Sequence, residues 1–137
     1  MQLIPSINKM SHVAIVVPDL QQAISFWQDA LGLTLDHIEN VPNQNSNVAF
    51  FPLGEVEVEL VEPTDNESGL AKYLKSHGPG LHHLCFEVTN IEDTLSGLKT
   101  KGIRLINETP ILLDNRKIAF IHPKDAYGVL IELCQTL

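Results

Sequence analysis

A chain of 137 residues, 44% hydrophobic and 19% charged, has the size and composition of one globular domain that buries its own core without disulfide staples. Its 17 acidic and 9 basic residues leave a net charge of −8 and a pI of about 5.1, which argues against nucleic acid or an anionic membrane as the main partner. No run approaches the ~20 apolar residues of a spanning helix, residues 1–5 have no signal-peptide character, and Cys85 and Cys134 sit in apolar runs as reduced, buried thiols. The expected location is the cytoplasm.

The first strand is predicted over residues 10–17, apolar at nearly every position and stopped by Pro18. The Asp19 carboxylate can accept from the free N–H groups of the following turn, which makes it an N-cap. Leu20, Ile24, Trp27 and Leu31 then recur at helical spacing, and Gly32 ends the helix. Strands follow over 33–39, 47–53 and 55–62, the last two joined by a hairpin at Gly54. Along the third of these, Glu55, Glu57 and Glu59 alternate with Val56, Val58 and Leu60, so the three carboxylates share one face.

Residues 63–69 form a loop, Ser68 caps a short helix over 69–77, and Gly78-Pro79-Gly80 terminates it. The segment connects two modules. The second module repeats the order, with a strand over 81–88 and capping-box spacing in Thr89-Asn90-Ile91-Glu92. A helix to Lys101 ends at Gly102, strands follow near 104–107, 117–122 and 127–134, and 109–115 is a mobile loop. The pattern is βαβββ twice. It favours an α+β fold of curved, mostly antiparallel sheets around a cleft, with module one at about 10–62, the connector at 63–80 and module two at about 81–135 of a single domain.

The duplication reaches the residues themselves. Ser11-His12-Val13-Ala14-Ile15-Val16-Val17-Pro18-Asp19-Leu20 recurs as His82-His83-Leu84-Cys85-Phe86-Glu87-Val88-Thr89-Asn90-Ile91, and each module closes on a strand ending Glu-Leu. His12 and His83 are 71 positions apart (83 − 12), and Glu59 and Glu132 are 73 apart (132 − 59). A lone His on an apolar strand passes for a structural residue, and a lone Glu59 for part of a solvated row. Glu132 is different, because it shares its face with Leu130 and Cys134 and needs a partner there. Taken together, two imidazoles and two carboxylates suit a borderline divalent ion such as Zn²⁺, Co²⁺, Ni²⁺ or Mn²⁺, octahedral if two water positions stay open. His82 points to the other face of its strand, and His37 and His77 are surface residues in this reading.

These residues resemble the vicinal-oxygen-chelate superfamily over nearly the whole chain. The likeness is strongest to its methylmalonyl-CoA epimerase family. It rests on His12-Val13-Ala14, Glu59-Leu60-Val61-Glu62-Pro63, Gly80-Leu81-His82-His83-Leu84 and Ala119-Phe120-Ile121-His122-Pro123-Lys124 running into Gly128-Val129-Leu130-Ile131-Glu132-Leu133. The resemblance implies one divalent metal held by His12, Glu59, His83 and Glu132, an acyl-CoA substrate, and a homodimer. It implies chelation of the thioester carbonyl and free carboxylate, loss of the C2 proton to an enolate, and reprotonation from the other face.

Glu132 takes both ligand and acid/base roles by that resemblance. Some epimerases carry a second catalytic Glu where this chain has Val48, so the second acid/base is unassigned, with Gln44 and a metal-bound water as candidates. Lys117 and Lys124 are candidates for coenzyme A phosphates, and His122 matches a motif position that is not a ligand. The same quartet also serves glyoxalase I, the lactoylglutathione lyase that isomerises a glutathione hemithioacetal, which stays open as an alternative. Non-catalytic binding members of the superfamily generally lack the full quartet, and extradiol dioxygenases are usually longer with two His and one carboxylate.

Overall fold

The computed structural model describes residues 7–137, so residues 1–5, read above for signal-peptide character, lie outside it. The fold is α+β, as the pattern predicts. The chain divides into one compact unit spanning His12–His82 and a second made of the residues up to Ser11 with His83–Leu137.

The first unit holds the second half of β1 (Ile7–Val16), then α1 (Leu20–Ile24), β2 (His37–Val41), β3 (Ser46–Leu53) and β4 (Val56–Pro63). The strands lie in the order β2-β3-β4-β1, antiparallel except where β4 returns parallel to β1. Asp19 caps α1 as expected, its carboxylate accepting from Gln22 N. The helix then widens into π geometry over Ser25–Ala30, with Leu31 N reaching back to Phe26 O. A π turn carries more residues per turn than an α turn, so the side-chain phase rotates. Trp27 stays packed, but Leu31, which helical spacing places inward, faces solvent.

Predicted strand 33–39 starts late, at His37, because its first residues are tied to the helix end: Leu33 N donates to Trp27 O and Leu35 N to the Gln28 side chain. One face of this sheet packs Val17, Leu20 and Ile24 against Ala49, Phe51 and Leu60. On the other face Val16, Val48 and Val61 are covered by Leu70, Tyr73 and Leu74 of α2 (Gly69–His77), which Ser68 caps.

The second unit repeats the plan with most of β5 (Gly80–Val88), then α3 (Ile91–Thr100), β6 (Ile111–Leu113), β7 (Arg116–Ile121) and β8 (Ile131–Thr136), in the order β5-β8-β7-β6. Its β5 and β8 are again the parallel pair. Val88, Ile91 and Leu95 pack on Ala119, Ile121 and Leu133. Three expectations change here. The segment 104–107 makes only one bridge, Leu105 to Ile121, and the strand lies instead at Ile111–Leu113, inside the stretch read as a mobile loop. Those three apolar residues pair with β7 across the Asp114-Asn115 turn. β8 begins at Ile131 rather than at 127, because Pro123–Ala126 form a 3-10 turn and Tyr127 and Gly128 follow at positive φ.

The capping box is the third. Asn90, not Thr89, caps α3 by accepting from Asp93 N, Thr89 donates to Asn8, and Glu92 accepts from Lys117.

A second pair of anchors obeys the duplication. Glu62 Oε2 accepts from Leu20 N at 2.7 Å, and Gln135 Oε1 accepts from Ile91 N at 2.8 Å, so each closing strand grips the first residue of its module's helix. Glu62 also accepts from Asn47 Nδ2. We expect Glu62→Ala to cost about 1.5–3 kcal/mol, the range for a hydrogen bond to a charged group, read as a fall in the thermal midpoint. A change within error would remove Glu62 from this role.

Candidate metal-binding site

Each unit builds a His–carboxylate pair of its own. In the first, His12 is the sixth residue of β1 and only 3% exposed. Two residues on, Ala14 lies opposite Glu59 in the parallel β1–β4 register. His12 Nδ1 stands 3.2 Å from Glu59 Oε2. Of the carboxylate row, Glu55 is exposed at the hairpin while Glu57 and Glu59 are half-buried.

The second unit repeats the geometry. Cys85, two residues after His83, lies opposite Glu132 in the parallel β5–β8 register, and His83 Nε2 stands 3.0 Å from Glu132 Oε1. Glu132 is 4% exposed. Even the antiparallel neighbour is conserved between modules: Phe50 lies opposite Glu59 and Phe120 opposite Glu132. The His83 ring meets Phe120 edge-on at 5.8 Å.

The donor set fits a divalent ion. Two N or O donors about 2.1 Å from one ion and at right angles to each other stand about 3.0 Å apart, close to the separation in both pairs. Both pairs also combine a borderline nitrogen with a hard oxygen, on strands that hold them out of water.

The remaining histidines have other work. The His82 ring lies edge-on to Tyr73, whose hydroxyl donates to Leu81 O. His122 Nδ1 accepts from Lys124 N and so caps the turn before β8. His37 and His77 are exposed, as expected. The carboxylates of Asp36 and Glu39, one on each ring nitrogen, raise the His37 pKa above 6.5.

Val48 lies buried with Val16 and Val61 under α2, a setting hostile to a carboxylate. Its counterpart in register in the second module is Ile118, since Val48 pairs with Val61 and Ile118 with Cys134. Gln44 is exposed in the Pro42–Gln44 turn. The two cysteines are free and buried, as expected. Hydrogen bonding to Cys134 and burial push the Cys85 thiol far up. Of the two candidate lysines, Lys117 is held by Glu92 at 2.7 Å, whereas Lys124 is exposed on the turn. The helix anchors Glu62 and Gln135 escaped the sequence reading, although their 73-residue spacing (135 − 62) matches that of the two Glu residues.

A duplicated βαβββ chain with one largely buried His–Glu pair, made of a fully buried partner and a half-buried one, at the same register in each half is a vicinal-oxygen-chelate protein. The chain belongs to the Glyoxalase/Bleomycin resistance protein/Dioxygenase superfamily, whose family model matches residues 11–120. It is 39% identical over 132 residues to the mitochondrial methylmalonyl-CoA epimerase of Homo sapiens, covering 95% of this chain and 75% of that one. It is 40% identical to an uncharacterized protein of Bacillus subtilis over 93% of this chain and 92% of the other. Among solved structures, methylmalonyl-CoA epimerase from Mycobacterium tuberculosis superposes with a TM-score of 0.88 at 35% identity, covering 100% of this chain and 93% of that one.

Proposed function

We propose that this chain interconverts the two C2 epimers of methylmalonyl-CoA with the help of one divalent ion. The observation that carries the reading is the matched pair of His–Glu couples, each at the same register of a parallel strand pair. The epimerase names of similar proteins select the substrate. His12, Glu59, His83 and Glu132 would hold the ion, which is Co²⁺, Zn²⁺, Ni²⁺ or Mn²⁺ by the donor chemistry. When bound, such an ion stabilises the negative charge that grows on the thioester oxygen as the C2 proton leaves.

The protein's own groups do the rest. Glu132 accepts the C2 proton on one face, and on the same face donates it in the reverse direction, a task suited to a carboxylate held away from water beside an imidazole. Val48 carries no proton, so the opposite face of C2 is served by a group outside that position of β3. We place the enzyme in the cytoplasm as a homodimer. Among the described residues no helix is long and apolar enough to cross a membrane, although the human relative is named as mitochondrial.

The test is C2–H exchange of methylmalonyl-CoA in D₂O by the Co²⁺-loaded protein, with methylglyoxal and glutathione run in parallel. Deuterium should enter C2, and lactoylglutathione should not form. No exchange by protein that retains its ion would overturn the proposal, and turnover of the hemithioacetal alone would favour the lyase.

A further inference from the structure

The turn that leads into β8 has no part in the chemistry above, yet it is unusually constrained. Asp125 accepts from Arg104 N, Nε and Nη2, a clamp that holds the 3-10 turn against the segment before it. His122 Nδ1 accepts from Lys124 N, Gly128 N donates to Pro123 O, and Val129 N donates to Ala126 O. At the end of this clamp Tyr127 sits at φ 55, a left-handed conformation that L side chains rarely adopt. The residue is fully exposed, and among the described residues no ring or side-chain hydrogen-bonding group meets its side chain.

A fixed turn that strains a non-glycine residue in order to hold an aromatic side chain in water has no stabilising rationale. It has a recognition rationale. Three residues earlier, Lys124 extends from the same turn. Lys99, Arg104 and Lys117 of this unit are engaged by Glu108, Asp125 and Glu92, whereas Lys9, Lys101, Arg116 and Lys124 make no such pair among the described residues, and of these four Lys124 shares the turn with Tyr127. On a chain of net charge −8, an unpaired ammonium on the same turn as an open aromatic ring is the complement of a phosphorylated purine.

Resting on the acyl-CoA reading above, we propose that Tyr127 and Lys124 recognise the nucleotide end of the substrate, the ring stacking on adenine and the ammonium meeting phosphate. The reach is right. Glu132 is the second residue of β8, five positions after Tyr127, and five residues span at most about 17 Å. The pantetheine arm between an acyl-CoA thioester and its nucleotide is long enough to bridge a separation within that upper bound.

The experiment compares methylmalonyl-CoA with methylmalonyl-pantetheine, which carries the same thioester without the nucleotide. Tyr127→Ala and Lys124→Ala should each raise KM for the CoA substrate about tenfold, within the range of one lost stacking or charge contact, and leave kcat within about twofold. Neither should change KM for the pantetheine substrate. Tyr127→Gly should raise KM equally while raising the thermal midpoint, because glycine relieves the left-handed φ.

An unchanged KM for the CoA substrate, or an equal rise with both substrates, would overturn the assignment. Calorimetric titration with adenosine 3′,5′-bisphosphate tests it apart from turnover. Binding to the wild type that weakens in Tyr127→Ala supports the assignment even if the epimerase reading fails, and no binding to the wild type counts against it.

Discussion

Glu132→Gln is expected to lower turnover of methylmalonyl-CoA by at least about a thousandfold. Positioned proton transfer alone is worth about 10²- to 10⁴-fold, and the same substitution removes one of the anionic donors offered to the ion. Glutamine preserves the shape of the side chain and keeps an acceptor for His83, which stands 3.0 Å away, so the strand should fold as before. The contrast is with Glu59→Gln, which removes a proposed donor from the other module but leaves the proposed proton carrier in place. Raising the Co²⁺ concentration should restore much of the activity of Glu59→Gln and almost none of that of Glu132→Gln. Metal content, thermal midpoint and kcat measured on both variants separate the two roles. If excess ion rescued both variants equally, Glu132 would be a ligand only, and the proton carrier would lie elsewhere.

What made this site legible was repetition rather than any single residue. His12 on an apolar strand and Glu59 in a row of glutamates are each unremarkable, but spacings of 71 and 73 residues place them on the same strand positions as His83 and Glu132. Parallel pairing of the first and last strand of each module turns those spacings into two His–Glu pairs. Two of the helices were readable from their caps, since Asp19 and Ser68 each accept from a backbone N–H near the start of the helix.

The misses share a physical cause, competition between local signals and partners distant in sequence. Thr89 and Glu92 have capping-box spacing, yet Lys117 claims Glu92 and leaves the cap to Asn90. Ile111–Leu113 is too short to stand out as a strand until β7 offers its edge. The π turn after Ile24 lies beyond periodicity altogether, because it changes the period on which the reading depends.

Leu60→Ala and Leu133→Ala should each destabilise the protein by about 2–5 kcal/mol, the largest stability losses expected from a single truncation beside the site. Both leucines directly follow a proposed ligand, and alternation turns them to the opposite face of the sheet. Leu60 is 0% exposed beneath Val17, Leu20, Ile24, Ala49 and Phe51, and Leu133 is 2% exposed beneath Val88, Ile91, Leu95, Ala119 and Ile121. Removing either leaves a void that close-packed neighbours fill only in part. Against a total stability of about 5–15 kcal/mol, the denaturant midpoint should fall steeply with little change in slope.

Leu112→Ala, at a position 67% exposed on β6, should stay within about 0.5 kcal/mol and serves as the control. A loss below about 1 kcal/mol at both core positions would mean that the helices do not hold β4 and β8 in place. The two variants should also divide functionally if each proposed ligand is held from behind by its own core: Leu60→Ala should loosen ion binding first, whereas Leu133→Ala should lower ion binding and kcat together, since its strand carries Glu132, proposed above as both ligand and proton carrier.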